Sequence, residues 1–145
     1  MKRLPVALGA VLLTAGLSGC EKPSPLVTVF SGRHLVHSEA QCYAFGDKAV
    51  SPQECAKQVR SVPELTIHPG ETIGIDVAKD IADGGWIAAI NGQRLSGGIV
   101  DGHYFKFALG PDAIAQAPLE LQVIARGDDK QNKGVWIFKL VADKG

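Results

Sequence analysis

The sequence has no excess of either charge and little cysteine or methionine, and these shortages exclude several classes of protein. Its 145 residues include 15 basic and 15 acidic side chains, so no basic surface indicates nucleic acid or anionic lipid as a partner. It has three cysteines, and its one methionine is residue 1. A cupredoxin-like copper site, which uses Cys and His ligands and usually an axial Met, is therefore disfavoured.

The chain also lacks a long hydrophobic run, and its one apolar stretch lies at the start. This stretch, about Val6 to Leu17, is too short to span a bilayer, which takes about 20 apolar residues. The positive residues Lys2 and Arg3 before it complete the layout of a secretory signal peptide. We therefore predict that residues 1–19 are a cleaved signal peptide and that the mature protein has no membrane-crossing helix. Their removal leaves 13 basic and 15 acidic residues, a net charge of −2.

A cysteine directly follows the apolar stretch. The residues 17–20, Leu-Ser-Gly-Cys, resemble the lipobox of bacterial lipoproteins. This resemblance implies that lipoprotein processing enzymes attach diacylglycerol to the Cys20 thiol and cut the chain before it. The acyl chains then anchor the protein in the lipid bilayer, and two or more of them make a stable anchor. The alternatives are an ordinary signal peptide with a coincidental cysteine and an N-terminal helix of a cytoplasmic domain.

The predicted anchor also sets the location and the domain boundaries. Lipidated Cys20 places the protein at the cell membrane, facing the extracytoplasmic side. Residues 20–25 are predicted to be the lipidated cysteine and a short tether with two prolines, which reaches roughly 15 Å at about 3.1 Å per residue. Residues 26–145 are predicted to form the folded domain, close against the membrane face.

The other two cysteines, Cys42 and Cys55, are predicted to form a structural disulfide. Export places them in a compartment that permits disulfides. The pair closes a loop of 14 residues, counting both cysteines, which is worth roughly 3 kcal/mol on the chain-entropy model. A redox pair usually has Cys-x-x-Cys spacing, and a zinc site needs more ligands at close spacing, so neither alternative fits.

A helix is predicted to begin within this loop. Ser51 suits the N-cap, Pro52 suits the first helical position, and Glu54 suits the returning side chain of a capping box. The helix is expected to run through about Val59, with Cys55 pinning it to the end of the preceding strand.

Outside the disulfide segment, apolar and polar residues alternate with period two, which is the pattern of half-buried strands. Strands are predicted at 26–30, 33–37, 64–68, 72–77, 86–90, 103–109, 119–126 and 135–141. The dipeptide Asn91-Gly92 predicts a tight hairpin, because both residues tolerate positive φ. About seven to nine such strands indicate an all-β protein, an immunoglobulin-like Greek-key β-sandwich with one short helix.

Four histidines raise the question of a metal site. His34 and His37 form an H-x-x-H pair, but an odd spacing on one strand sends the two side chains to opposite faces. His68 lies on the polar face of its strand, and His103 lies at a strand start. The pattern predicts no metal and no other cofactor.

No catalytic residue is predicted either. Asp76, Asp80 and Asp83 do not have the spacing of a calcium loop, and a solvated loop is expected there. The chain has no G-x-S-x-G elbow and no glycine-rich phosphate loop. A glycosidase with paired carboxylates stays open, although no spacing points to one.

Binding is the remaining role, and one stretch predicts a surface for it. Trp86, Asn91, Gln93 and Arg94 flank a predicted hairpin, and aromatic and arginine residues are favoured anchors at interfaces. The competing interpretation is that Trp86 and Trp136 pack in the core, as large aromatic residues of small sandwiches usually do.

The order of these features resembles a family of small actinobacterial lipoproteins of unknown function. The matching features are Cys20, Pro23-Ser24-Pro25-Leu26, Cys42-Tyr43 with Cys55, Leu65-Thr66-Ile67, Pro69-Gly70, Ile81-Ala82, Gly85-Trp86, Ile90 to Gln93 and Gly134 to Leu140. The resemblance covers most of the mature chain. It implies the location and the fold, and it supplies no catalytic residue.

The function predicted from the sequence is therefore a membrane-anchored extracytoplasmic lipoprotein with a non-catalytic binding or interaction domain. Its expected contacts are the bilayer, through acylated Cys20, and an unidentified envelope protein, with no nucleic acid. There are two alternatives. The first is a lipoprotein that binds a small ligand or a metal, and the second is an envelope hydrolase.

Overall fold

The computed structural model describes residues 22–57 and 61–145, which form ten strands and three short helices. The strands are β1 (Val27–Ser31), β2 (His34–Ser38), β3 (Cys42–Tyr43), β4 (Glu64–Ile67), β5 (Thr72–Val77), β6 (Trp86–Ile90), β7 (Gln93–Arg94), β8 (Tyr104–Ala108), β9 (Leu119–Arg126) and β10 (Asn132–Ala142). The helices are α1 (Pro52–Ala56), α2 (Lys79–Gly84) and α3 (Pro111–Ile114).

The strands form two sheets. One has four strands in the order β2-β1-β5-β8, all antiparallel. The other has the order β3-β10-β9-β6-β7, and β4 runs parallel to the last part of β10. Because β4 and β6 lie in one sheet and β5 lies in the other, the chain crosses repeatedly between the sheets.

The core lies between the two sheets, where the period-two pattern places the apolar residues. Val27 and Val29 of β1 and Leu121 and Val123 of β9 are all fully buried, whereas their neighbours along each strand face outward. These residues belong to one cluster that both sheets line. The predicted immunoglobulin-like β-sandwich is therefore confirmed.

The chain forms more helix than the pattern predicts. The segment with Asp80 and Asp83, expected to be a solvated loop, forms α2, and Ile81 and Ala82 within it are buried. These two apolar side chains close one end of the core, and burial stabilises a helix of one to two turns that would be marginal in isolation. The single turn α3 closes the other end with buried Ile114.

The start of α1 differs from the predicted capping box. Ser51 is the N-cap and Pro52 the first helical residue, as expected, but the Ser51 side chain does not cap a backbone N–H of the helix. The Ser51 hydroxyl instead donates to Gln53 Oε1 at 3.1 Å. The helix ends at Ala56, with Lys57 as its C-cap, and the predicted end near Val59 lies outside the described residues.

The predicted disulfide between Cys42 and Cys55 is confirmed, with the two Cα atoms 5.7 Å apart. Cys55 is buried in a small second cluster with Val135 and Ile137 on the outer face of β10. The disulfide therefore fastens α1 across the outside of the larger sheet, where it shields apolar side chains that the main core does not cover.

The two ends of the sandwich are distinct. We call the end where β1, β6, β8 and β10 begin the N-terminal pole, since the described chain enters there. We call the opposite end, where β6 turns into β7, the hairpin pole. The two ends of β6, Trp86 and Ile90, lie at the two poles, about 13 Å apart at about 3.3 Å per residue.

Candidate functional site

Trp86 does not belong to a binding surface, and this corrects its place among the candidate residues. Its side chain is fully buried, and its indole Nε1 donates to Gly102 O at 2.9 Å. It packs edge-on against Phe105 across the core, with ring centroids 6.3 Å apart. Trp136 is equally buried, so the competing interpretation of both tryptophans as core residues is confirmed.

Asn91 lies on the surface, and its side chain has a structural role. Asn91 and Gly92 have φ values of 47° and 80°, the left-handed conformation that a two-residue hairpin turn requires. The Asn91 side-chain oxygen accepts from Glu120 N at 2.9 Å, and its backbone N–H donates to Glu120 O at 2.9 Å. Asn91 therefore holds the hairpin against the start of β9.

Gln93 and Arg94 are the candidate residues that the structure leaves open to a partner. Both are exposed at the hairpin pole. Among the described residues, neither side chain has a hydrogen-bond or ion-pair partner. They border a groove of about 330 Å³, the hairpin groove, which also has Gln116 at its rim and partly buried apolar side chains at its base: Ile90, Leu95 and Leu109.

The hairpin groove combines residues that sequence patterns do not bring together. Gln116 follows α3, and its amide Nε2 donates to Asp112 O at 3.4 Å. The apolar base and the amide and guanidinium groups at the rim are features of small recognition sites, and the volume is at the lower end of the range of about 300–1,000 Å³ for ligand pockets. The groove therefore suits binding through hydrogen bonds and apolar contact.

A second cleft, of about 310 Å³, lies at the N-terminal pole and is rich in carboxylates. We call it the acidic cleft, and its charged lining residues are Asp47, Asp80, Asp83, Arg126, Asp128, Asp129 and Lys133. The sequence pattern does not connect these aspartates, because only the folded chain brings α2, the β3–α1 loop and the β9–β10 hairpin together.

The two cationic side chains of the acidic cleft, Arg126 and Lys133, already make hydrogen bonds within the domain. Arg126 Nη1 donates to Asn132 Oδ1 at 3.1 Å, although its Nε is buried without a partner. Lys133 Nζ donates to the backbone oxygens of Gly46 and Lys48. Burial, and then the negative charge of Asp80, raise the pKa of Tyr43 at the edge of the cleft. Its phenol is therefore neutral at physiological pH.

The four histidines do not converge on one point. The rings of His34 and His68 lie 6.3 Å apart, and His68 Nε2 is 3.6 Å from Asp143 Oδ2. His103 Nδ1 instead contacts Val77 O at 3.0 Å at the other pole. In the described ranges, no three His, Cys, Asp or Glu side chains are placed to hold a metal ion together.

The predicted lipidation site, Cys20, lies outside the described residues. The chain just after it is held on the domain by three hydrogen bonds. Ser24 Oγ accepts from Ala40 N at 2.8 Å, Pro25 O accepts from Trp136 Nε1 at 3.0 Å, and Leu26 O accepts from Ala78 N at 3.1 Å. The described part of the predicted tether is thus packed on the domain. The length of chain that is free of the domain is therefore shorter than the predicted tether of residues 20–25. Within residues 22–57 and 61–145, no helix is long and apolar enough to cross a membrane.

Comparison with known proteins gives no family. No family model matches the chain, and no curated protein matches it. Among solved structures, the chain is similar to the fibronectin(III)-like modules of CbhA from Clostridium thermocellum, with 13% sequence identity and a TM-score of 0.43. The match covers 57% of this chain and 89% of the module.

Proposed function

We propose that this protein is a lipid-anchored extracytoplasmic lipoprotein whose β-sandwich binds an envelope partner without catalysing a reaction. The anchor rests on the signal-peptide pattern and on the Leu-Ser-Gly-Cys stretch that ends at Cys20. A non-catalytic role suits the hairpin groove, since the Gln93, Arg94 and Gln116 side chains at its rim supply hydrogen-bond donors but no nucleophile or general base.

One observation carries the proposal: the chain enters the domain at one pole, and the uncommitted side chains lie at the other. An anchor at Cys20 holds the N-terminal pole near the bilayer. Gln93 and Arg94 pair with Ile90 and Ala89, so they lie about 10–13 Å farther out along β6 than Trp86 at its start. That is the position in which a membrane-bound binding domain meets a partner in the envelope.

Replacing Cys20 by alanine tests the anchor. Cys20→Ala removes the thiol that would receive the lipid, so we expect complete loss of acyl labelling and transfer of the protein from the membrane to the soluble fraction. Two acyl chains would otherwise hold it stably. Ser18→Ala is the matched control, because it exchanges one small residue for another and should keep both lipid and location. If the Cys20→Ala protein still partitions with detergent and membranes, the anchor is wrong.

Replacing Gln93 and Arg94 together by alanine tests the binding role. We expect the double variant to lose at least about tenfold in partner capture from membranes of the native host, since an interface arginine often contributes about 2 kcal/mol or more. Lys106→Ala is the control, because Lys106 is exposed on β8 in the other sheet. Equal capture by the double variant and by wild-type protein would show that the partner binds elsewhere.

A further inference from the structure

The exposed apolar side chains of the described residues are concentrated at one pole. Five large apolar side chains are exposed, by 43–60% of their surface: Leu26, Leu35, Phe45, Ile99 and Tyr104. Three of these, Leu26, Phe45 and Ile99, lie at the N-terminal pole, whereas Leu35 and Tyr104 lie on the outer face of the four-stranded sheet. Soluble proteins scatter exposed apolar residues singly, so a concentration at one end indicates a contact surface.

Backbone positions place these three residues at this end of the sandwich. Leu26 comes just before β1. Tyr104 also begins β8 at this end, but its ring stacks on Phe30, with centroids 5.9 Å apart, and so covers the outer face of the sheet. Ile99 precedes Val100, which pairs with the first residue of β6. Phe45 follows β3 and lies beside the entering chain.

The entering chain meets this surface directly. Lys22, at the start of the described chain, has its ammonium group 5.6 Å from the centre of the Phe45 ring. Cys20 is two residues earlier, and two residues span at most about 7 Å. The hydrogen bonds of Ser24, Pro25 and Leu26 prevent the chain from extending farther from the domain.

We propose that the N-terminal pole is a membrane-contacting surface, in which Leu26, Phe45 and Ile99 rest in the interface of the bilayer that holds the acyl chains of Cys20. This inference rests on the proposed function, because it needs the lipid anchor. With so little chain between Cys20 and Phe45, the pole lies against the bilayer and the domain keeps one orientation. The hairpin groove then faces away from the membrane.

The chemistry of the pole fits the boundary between acyl chains and headgroups. An aromatic ring such as that of Phe45 is favoured there, and a lysine such as Lys22 can bury its methylenes while its ammonium stays among the headgroups. The acidic cleft lies beside Phe45, with Asp80 and Lys133 lining both it and the pocket of the entering chain. Its carboxylates oppose attraction to anionic lipid, so the contact is apolar and little affected by salt.

Tryptophan reporters at the two poles test the orientation. We would place full-length lipidated Phe45→Trp, Ile99→Trp and Leu35→Trp proteins in phosphatidylcholine vesicles that carry brominated acyl chains. Trp86 and Trp136 are buried in every variant and give a common background. We expect the tryptophan added at position 45 or 99 to lose about half of its emission, since an indole at the interface lies at headgroup level. The tryptophan added at position 35 should lose almost none.

The outcomes separate this inference from the anchor. If the protein floats with the vesicles and the tryptophans added at positions 45 and 99 are both unquenched, the membrane-contacting surface is wrong and the anchor stands. Equal quenching at positions 35, 45 and 99 would overturn the fixed orientation. If the protein does not float with the vesicles, the anchor fails and this inference falls with it. Quenching at positions 45 and 99 that is unchanged when anionic lipid or salt is added supports the apolar contact.

Discussion

Replacing Trp136 by alanine should lower the free energy of unfolding by about 3–5 kcal/mol, the range for truncating a large buried aromatic side chain. Trp136 is fully buried between the sheets and packs edge-on against Tyr43, with ring centroids 6.0 Å apart. A domain of this size has about 5–15 kcal/mol in total, so the loss should be evident as a large drop in the denaturant midpoint.

The phenylalanine variant isolates a second role of the same side chain. Trp136→Phe keeps an aromatic ring but removes the Nε1 donor that holds Pro25 O at 3.0 Å. We expect a smaller loss of stability, about 1–3 kcal/mol, since a carbonyl is left without its partner. The entering chain should also loosen. Faster hydrogen exchange at the amides of Ala40 and Ala78, which bond to Ser24 and Leu26, would report this.

Trp86→Phe is the matched control for that experiment. Trp86 is just as buried, but its Nε1 donates to Gly102 O and not to the entering chain. The Trp86→Phe variant should therefore lower the free energy of unfolding by a similar amount. Hydrogen exchange at the amides of Ala40 and Ala78 should increase only as much as this lower global stability requires. Equal loss of protection in both variants would contradict the specific role of Trp136.

The strands were predictable because the local pattern and the burial agree. Residues 119–126 alternate in sequence except at Ile124, and the same alternation separates core from outer face in β9. The Asn91-Gly92 turn was predictable for a similar reason, since positive φ at both positions is a local property of the two residue types.

The helices α2 and α3 were missed because tertiary contacts stabilise them. Neither has a side-chain N-cap hydrogen bond, and each is too short to persist alone. The burial of Ile81 and of Ile114 over the two ends of the core stabilises each turn. The residue pattern of so short a segment does not show that its apolar side chain covers an end of the core.

The surfaces were the least predictable part of the molecule. Trp86 and Gln93 are close together in the chain, and only the pairing of β6 with β9 decides that the first is buried and the second exposed. Leu26, Phe45 and Ile99 come from distant parts of the chain and lie at the same end of the sandwich only because the strands beside them begin or end there. Local sequence gives the residue types, whereas topology decides which of them become neighbours.

Removing the disulfide should have the second large effect on stability. For the double variant Cys42→Ala/Cys55→Ala we expect a loss of about 3 kcal/mol from the restored freedom of the unfolded loop between the two cysteines. A further loss should come from packing, because Cys55 is 2% exposed and lies against Val135 and Ile137. Chemical unfolding of the oxidised wild type and of the variant measures the sum.

Reduced wild-type protein separates these two contributions. It regains the freedom of the loop but keeps both sulfur atoms, so its stability should lie between those of the oxidised protein and the double variant. The damage should also be local. Exchange of the α1 amides should increase most, since α1 is attached through Cys55 to the outer face of β10, while β1 and β5 in the other sheet keep their protection. If reduction leaves the midpoint unchanged, the cross-link adds nothing to the stability of the folded domain, and the burial of Cys55 alone holds α1 in place.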